Sequence, residues 1–413
     1  MNAKIHRSKI CGTVAAPPSK SYAHRLLIAA YLSGQSVRVH GAGKSDDVCA
    51  TTNALKSLGA DIVIDEQTIT VERKALPQNA TVDCLESGST LRFLLPVAAA
   101  LGINATFTGQ GRLLSRPIDG LVAALNDNGA EIDGFTVNGK LCSGEYKIPA
   151  DISSQYITGL LFALPLLSGD STIVFEGAPV STGYIDITAD VLSRFGIKIQ
   201  KTAFGYSIKG NQQYTAAGDV TVEGDFSGAA FMLALGAMCG SVTVSGLNAH
   251  SLQGDAQIID IIKMFGGKVT VDGDVVSAQK CELNAIELDC QNIPDLVQIV
   301  SVIASFASGV TVLKNVGRLR LKESDRISAI SAQLDAAGVG CEFSDGNLII
   351  RGGSPVGGTF SGGGDHRTVM SASVLALGAA GQSTVIGIDP VSKSYTEFFN
   401  DVKKLGGQID VYV

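Results

Sequence analysis

A chain of 413 residues has room for two domains or more, and at 45% hydrophobic and 17% charged it can bury large cores. A net charge of −7, no tryptophan and an aromatic content of 6% exclude a basic or base-stacking nucleic-acid binder, so no nucleic-acid partner is expected. The eight cysteines form no Cys-x-x-Cys pair, which argues for reduced core thiols rather than a disulfide framework or zinc site. The start Met-Asn-Ala-Lys carries no apolar signal segment, and runs such as Leu160–Leu167 are too short to span a bilayer. A soluble cytoplasmic protein with no membrane partner is expected.

From Ser19 the chain reads as helix, strand, helix, strand. An apolar run ends at Gly34, Ser36–His40 is β-branched, a mixed helix from Asp46-Asp47 ends at Leu58-Gly59, and Ile62–Ile64 follows. The order returns five more times. Gly59, Gly129, Gly196, Gly266, Gly338 and Gly406, spaced by 67 to 72 residues, close the second helix of each unit. Glycine suits the left-handed residue after a helix end. Gly34, Gly102, Gly169, Gly240, Gly309 and Gly381 close the first helix in step. Two marker series at one period define an internal repeat.

The first helix of each unit is apolar nearly all round, as in Phe231–Met238, and is expected to be buried. The second is amphipathic: Val48, Thr51, Leu55 and Leu58 share one face, and Ile258, Ile261, Ile262 and Phe265 share another. Each unit then adds a hairpin, as at Asp272-Gly273. The sixth unit stops at Gln408–Val413 without its second hairpin strand, which Ala3–Arg7 is expected to supply. The predicted fold class is α/β, with six βαβαββ-like units, three per domain. The domains are expected at 14–222 and at 1–13 plus 223–413, joined by two crossings near Thr13–Pro17 and Gly218–Gly224.

A polar cluster opens each buried helix. In order these are Ser19-Lys20-Ser21, Ser87–Thr90, Ser153-Ser154-Gln155, Asp225 with Ser227, Pro294-Asp295 and Asp365-His366-Arg367. Ser and Asp there are natural N-caps. Capping does not explain the adjacent cations Lys20, Arg25, Arg92 and Arg367. Helix N-termini favour anions, so clustered N-termini with cations suit a small, multiply anionic ligand. Two loops add to this: Gly109–Pro117 with Arg112 and Arg116, and Arg318–Arg326, which packs six charged residues into nine. As a plain solvated helix start, the second would carry ordinary ion pairs. Arginine, however, is the usual residue for bidentate carboxylate and phosphate recognition. Asp295 and Glu323 are the acidic exceptions, and a carboxylate among cations is a candidate proton carrier.

Taken together, Pro18–Arg25, Arg112-x-x-x-Arg116-Pro117, Ser153-Ser154-Gln155, Lys322-Glu323-Ser324-Asp325-Arg326, Asp365-His366-Arg367 and Lys393 resemble the 5-enolpyruvylshikimate-3-phosphate synthases over nearly the whole chain. The resemblance implies two inside-out α/β barrel domains closing on their ligands, with the active site in the interdomain cleft. It implies transfer of the enolpyruvyl group of phosphoenolpyruvate to shikimate 3-phosphate with release of phosphate, by a monomer needing no metal or cofactor. By the family pattern, Lys20, Ser21, Arg25, Ser153, Ser154, Gln155, Ser181, Tyr184, Asp295 and Lys322 hold shikimate 3-phosphate. Lys20, Gly88, Arg116, Gln155, Arg326, Arg367 and Lys393 hold phosphoenolpyruvate. Asp295 is the implied base for the 5-hydroxyl, and Glu323, Lys20 or Lys393 the implied acid for the methylene carbon.

Two positions depart from the pattern. Glu86-Ser87-Gly88-Ser89 replaces the frequent Asn-Ala-Gly-Thr, and Arg318 stands where some members have asparagine. A UDP-N-acetylglucosamine enolpyruvyl transferase would commonly carry a reactive cysteine at Gly111, and none lies near it. A non-catalytic phospholigand binder would have no use for Asp295 and Glu323 together.

Overall fold

The structure, a computed structural model, describes residues 1–216 and 218–413. The chain forms two compact units, Lys20–Val222 and Met1–Ser19 with Glu223–Val413. Each carries three four-stranded sheets and three buried helices.

Every sheet has one plan: a parallel strand, the strand after the buried helix, then two antiparallel strands, which form a hairpin in all but the sixth. In the second repeat these are Asn79–Asp83, Asn104–Thr108, Thr136–Gly139 and Ala130–Asp133. Alternation sets the faces: Val37 and Val39 point inward and Arg38 outward. A buried helix leads into the second strand of each sheet: Lys20–Ser33, Gly88–Leu101 and Ser154–Ala163 in one unit, Phe226–Cys239, Val297–Ser305 and His366–Gly378 in the other. Phe226–Cys239 is buried at every position, as its all-round apolar sequence requires. The outer helices are amphipathic. Asp46–Ser57 has Asp46 and Asp47 in its first turn and Lys56 in its last, matching the helix dipole.

The strand expected at Ala3–Arg7 is present as Asn2–His6: it lies antiparallel between Gln382–Ile386 and Gln408–Tyr412 and completes the sixth sheet. The leading strands of the first and fourth repeats are exchanged. Ile10–Ala15, which precedes the first buried helix, pairs with Gly240–Ser245. Val220–Thr221, which precedes the fourth, pairs with Val37–His40. Because Ile10–Ala15 runs unbroken in that sheet, the boundary expected at 13/14 falls after Ser19 instead.

All six glycines closing the outer helices have positive φ, from 73° to 95°. At Gly59 a Cβ would also lie 2.3 Å from Ala75 O. The inner series splits. Gly34, Gly102, Gly309 and Gly381 are left-handed. Gly169 is not among the positive-φ glycines, and Gly240 is extended at φ 172°. Gly240 is needed for space, since its Cβ would meet Ile10 O at 1.8 Å across the parallel pair.

One close approach shapes the Lys20–Val222 unit. Pro96 sits inside the helix Gly88–Leu101, and proline has no N–H for the carbonyl four residues earlier, Arg92 O. Gly159 of the neighbouring helix fills that spot, where a Cβ would lie 2.2 Å from Arg92 O and 3.0 Å from Pro96 Cγ. Gly159→Ala is therefore expected to destabilise this unit by roughly 1–3 kcal/mol through overpacking against backbone. Urea unfolding should show a lower midpoint at unchanged slope.

Candidate active site

In the unit containing Glu223–Val413, two buried helices are capped as the sequence suggests. Asp225 accepts from Gly228 N at 3.0 Å and Asp365 from Arg367 N at 2.9 Å. The third breaks the pattern. Leu296 stands at the N-cap of Val297–Ser305, which leaves the Asp295 carboxylate for other partners. Arg326 Nη1 donates to Asp295 Oδ1 at 2.8 Å and Arg367 Nη2 to Oδ2 at 3.0 Å. Arg367 Nη1 also donates to Asp295 O at 3.2 Å.

Arg326 opens the outer helix Arg326–Ala336, which Asp325 caps through Ser328 N at 3.0 Å. Its guanidinium is 2% exposed and joins three carboxylates: Asp295, Glu323 at 2.9 Å and Asp365 at 2.8 Å. Burial opposes its charge, but Asp365, Glu323 and Asp295 outweigh burial and hold it fully protonated. Burial likewise opposes the Asp365 anion, yet Arg326, then His366, hold that carboxyl at about 2. Lys322 is half-buried beside them. Burial pushes its ammonium down to about 8, Asp295 counteracts, and Arg318 and Arg326 push the same way as burial. Arg318 itself donates to Gln291 O. Lys393 ends the turn Asp389–Lys393 and donates to Gly364 O at 3.2 Å, just before the His366 helix.

In the Lys20–Val222 unit, Gly88 opens its helix and Ser87 caps it through Thr90 N at 3.2 Å. Two buried guanidinium groups converge over Gly88: a Cβ there would lie 2.7 Å from both Arg92 Nη1 and Arg116 Nη1. Like charges gather at a helix N-terminus, an arrangement suited to an anion. Arg92 also donates to Gln155 Oε1 at 2.9 Å and to Pro117 O at 2.8 Å, and Gln155 Nε2 donates to Ser89 Oγ at 3.0 Å. The Gly159–Arg92 approach, one helical turn below Gln155, puts these groups in register.

Arg25 is buried and fixed on three sides. It donates to Thr188 Oγ1 at 2.8 Å, Ser21 O at 2.7 Å and Tyr184 O at 3.0 Å, and lies over Phe93. Burial pushes it down to about 10. Ser153 caps its helix through Gln155 N, and Ser154 is buried beside it. Ser181, buried and not glycine, holds φ 54° ahead of Thr182–Arg194, a conformation that carries strain. Lys20 Nζ pairs with Asp47 at 2.7 Å.

Within each unit, then, the expected residues gather at the N-terminal ends of the buried helices. Sequence reasoning left out Arg92 as a site residue, and also Asp47, Asp365 and Asp255. Arg92 and Asp365 stood in the polar openings; Asp47 and Asp255 had no local signal. The two departures are also placed. Glu86 lies against Gly111, where a Cβ would fall 1.8 Å from Glu86 Oε1, so a side chain at 111 and this carboxylate position exclude each other. Burial raises the thiols of Cys84, Cys239 and Cys290, the last two to about 11 and about 12. Among the described residues no group of His, Cys, Asp and Glu is placed to hold a metal ion, and no helix is long and apolar enough to cross a membrane.

The fold of six four-stranded sheets matches solved structures. The EPSP synthase of Acinetobacter baumannii superposes with a TM-score of 0.83 at 22% identity, over 99% of this chain and all of its own. The enolpyruvyl transferase NikO of Streptomyces tendae gives 0.80 at 17% identity, over 99% and 98%. A family model described as EPSP synthase (3-phosphoshikimate 1-carboxyvinyltransferase) matches residues 5–402. The 3-phosphoshikimate 1-carboxyvinyltransferase of Clostridium kluyveri is 38% identical over 98% of this chain and 97% of its own. That of Methanocorpusculum labreanum is 36% identical over 98% of each. The chain belongs to the EPSP synthase family.

Lys322 generates a pH prediction. Its charge is present below about 8 and lost above it. Binding of shikimate 3-phosphate, measured by calorimetry, should weaken as pH rises through that value. Lys322→Arg, which stays protonated, should bind without that alkaline loss.

Proposed function

We propose that this chain transfers the enolpyruvyl (1-carboxyvinyl) group of phosphoenolpyruvate to the 5-hydroxyl of shikimate 3-phosphate and releases phosphate, as a cytoplasmic monomer of the shikimate pathway that makes aromatic amino acids. Family membership across residues 5–402 supports the reaction. The observation that carries the mechanism is Asp295, a helix-start aspartate whose carboxylate faces Arg326 and Arg367.

The 5-hydroxyl oxygen attacks the central carbon of phosphoenolpyruvate while Asp295 takes its proton and an acid protonates the methylene carbon. Glu323, Lys20 and Lys393 are the candidates for that acid. Loss of a methyl proton then re-forms the double bond as the C–O bond to phosphate breaks. Positive character at the central carbon is stabilised by the nearby carboxylates. Arg116 over Gly88, with Gln155 and Lys20, and Arg326, Arg367 and Lys393 hold the donor. Ser21, Arg25, Ser153, Ser154, Ser181, Tyr184 and Lys322 hold the acceptor, joined by Lys20, Gln155 and Asp295.

The pairing of Asp295 has a consequence for timing. Asp295 is ion-paired to two arginines, and opposite charges at that range weaken a base. The donor's carboxylate and phosphate compete for those arginines, so donor binding frees Asp295 to accept a proton.

Phosphate release from phosphoenolpyruvate tests the reaction: shikimate 3-phosphate should trigger it and UDP-N-acetylglucosamine should not, and turnover with the sugar nucleotide would sink the assignment. Asp295→Asn keeps the shape and removes the base. Turnover should fall by roughly 100-fold or more while calorimetry still shows shikimate 3-phosphate binding. Near-normal turnover in that variant would require a different base.

A further inference from the structure

Thr51 shares a helix face with Val48 and Leu55, is 0% exposed, and has no part in the roles above. Its hydroxyl lies 2.6 Å from His24 Nδ1, in the buried helix Lys20–Ser33, and 2.7 Å from Thr90 Oγ1, in the buried helix Gly88–Leu101. Thr90 Oγ1 donates in turn to Ser87 Oγ at 2.8 Å. Thr188 is the counterpart of Thr51 in the third repeat: each stands eight residues ahead of the glycine that closes its helix, Gly59 and Gly196. Thr188 is also 0% exposed. It accepts from Arg25 Nε at 2.8 Å, lies 2.9 Å from Thr158 Oγ1 in the buried helix Ser154–Ala163, and donates to Tyr184 O at 2.9 Å.

The hydrogens in these chains have one arrangement. Burial pushes the His24 imidazole down to about 3, with Lys20 and Arg25 adding and Asp47 opposing, so it is neutral and carries one N–H. The Thr90 hydrogen goes to Ser87. The hydrogen between the two threonines therefore comes from Thr51, and Thr51 accepts from His24 Nδ1. The chain runs one way, from His24 to the serine that caps Gly88–Leu101. At the other site Tyr184 O takes the Thr188 hydrogen, so Thr158 donates to Thr188, whose hydroxyl is then fully used. Neither threonine can turn away without leaving a buried donor unpaired, which is more costly than losing an exposed bond.

The two chains end on different groups. One ends on the first turn of Gly88–Leu101, where Arg92 and Arg116 converge over Gly88. The other fastens Arg25 and Tyr184 to the helix that begins at Ser154. We propose that Thr51 and Thr188 are positioning residues, one for each substrate. Thr51, through Thr90 and Ser87, sets the phosphoenolpyruvate end at Gly88; Thr188, through Arg25 and Tyr184, sets the shikimate 3-phosphate end. Neither threonine touches a ligand; each holds in place, before binding, the groups that do.

The inference rests on the ligand assignments of the proposed function. Thr51→Val and Thr188→Val keep the side-chain shape and remove the hydroxyl, whereas Thr51→Ser and Thr188→Ser keep the hydroxyl. Phosphate release gives KM for phosphoenolpyruvate at saturating shikimate 3-phosphate, and calorimetry gives Kd for shikimate 3-phosphate with the enzyme alone. Thr51→Val should raise that KM by roughly three- to tenfold, the scale of one hydrogen bond, and leave the Kd unchanged. Thr188→Val should raise the Kd by a similar factor and leave the KM unchanged. Both serine variants should stay near wild type. Thr90→Val and Thr158→Val cut the same chains one link further on, and decide the matter if either first variant does not fold. General loosening of the unit would move both constants together. That result, no change in either constant, or the reverse pairing of variant and substrate would overturn the proposal while the reaction stands. A wild type that releases no phosphate would overturn the reaction, and the proposal with it.

Discussion

The Arg326 guanidinium is the constraint on which the unit containing Glu223–Val413 depends. A full charge at 2% exposure persists only with compensating partners, and three carboxylates from three separate segments supply them: Asp295, Glu323 and Asp365. Arg326 also opens a helix, where the dipole disfavours a cation. Such networks add little net stability, because desolvation cancels much of the Coulomb gain. What they supply is position. Asp295 and Glu323 are held on one guanidinium, at 2.8 and 2.9 Å.

The other unit reaches the same end by sterics. Pro96 removes one helical hydrogen bond and exposes Arg92 O, and only glycine at 159 lets the neighbouring helix close on that carbonyl. That contact fixes the relative height of two helices, and so places the Arg92 guanidinium on the Gln155 amide. Gly88 then leaves room for Arg92 and Arg116 together. Two small residues and one proline therefore place three long polar side chains.

Much of this was legible in the sequence because repetition made it so. The outer-helix glycines read as left-handed closures, and they are. The inner series was read the same way, but Gly240 is required by a backbone neighbour from residue 10, a contact that no local pattern announces. The polar helix openings were visible as caps, but Asp365 stands at its N-cap position and Asp295 one residue before Leu296, and the two look identical as text. Asp255 was missed for a similar reason. Its partner Ser227 is 28 positions away along the chain, and desolvation, the main cause of its raised affinity for protons, has no signature in one dimension.

The exchanged leading strands bear on how the chain is made. Asn2–His6 finds its neighbours only in Gln382–Ile386 and Gln408–Tyr412, and Ile10–Ala15 waits for Gly240–Ser245. Through most of synthesis these early strands have exposed edges with nothing to pair with, the state most prone to wrong partners. The register also shows a way round it. Asn2 lies opposite Tyr412 in an antiparallel pair, so Met1 and Val413 end side by side. A short turn joining them, with the chain reopened before Lys20, would make each unit one continuous stretch and let every sheet assemble in the order its strands are translated.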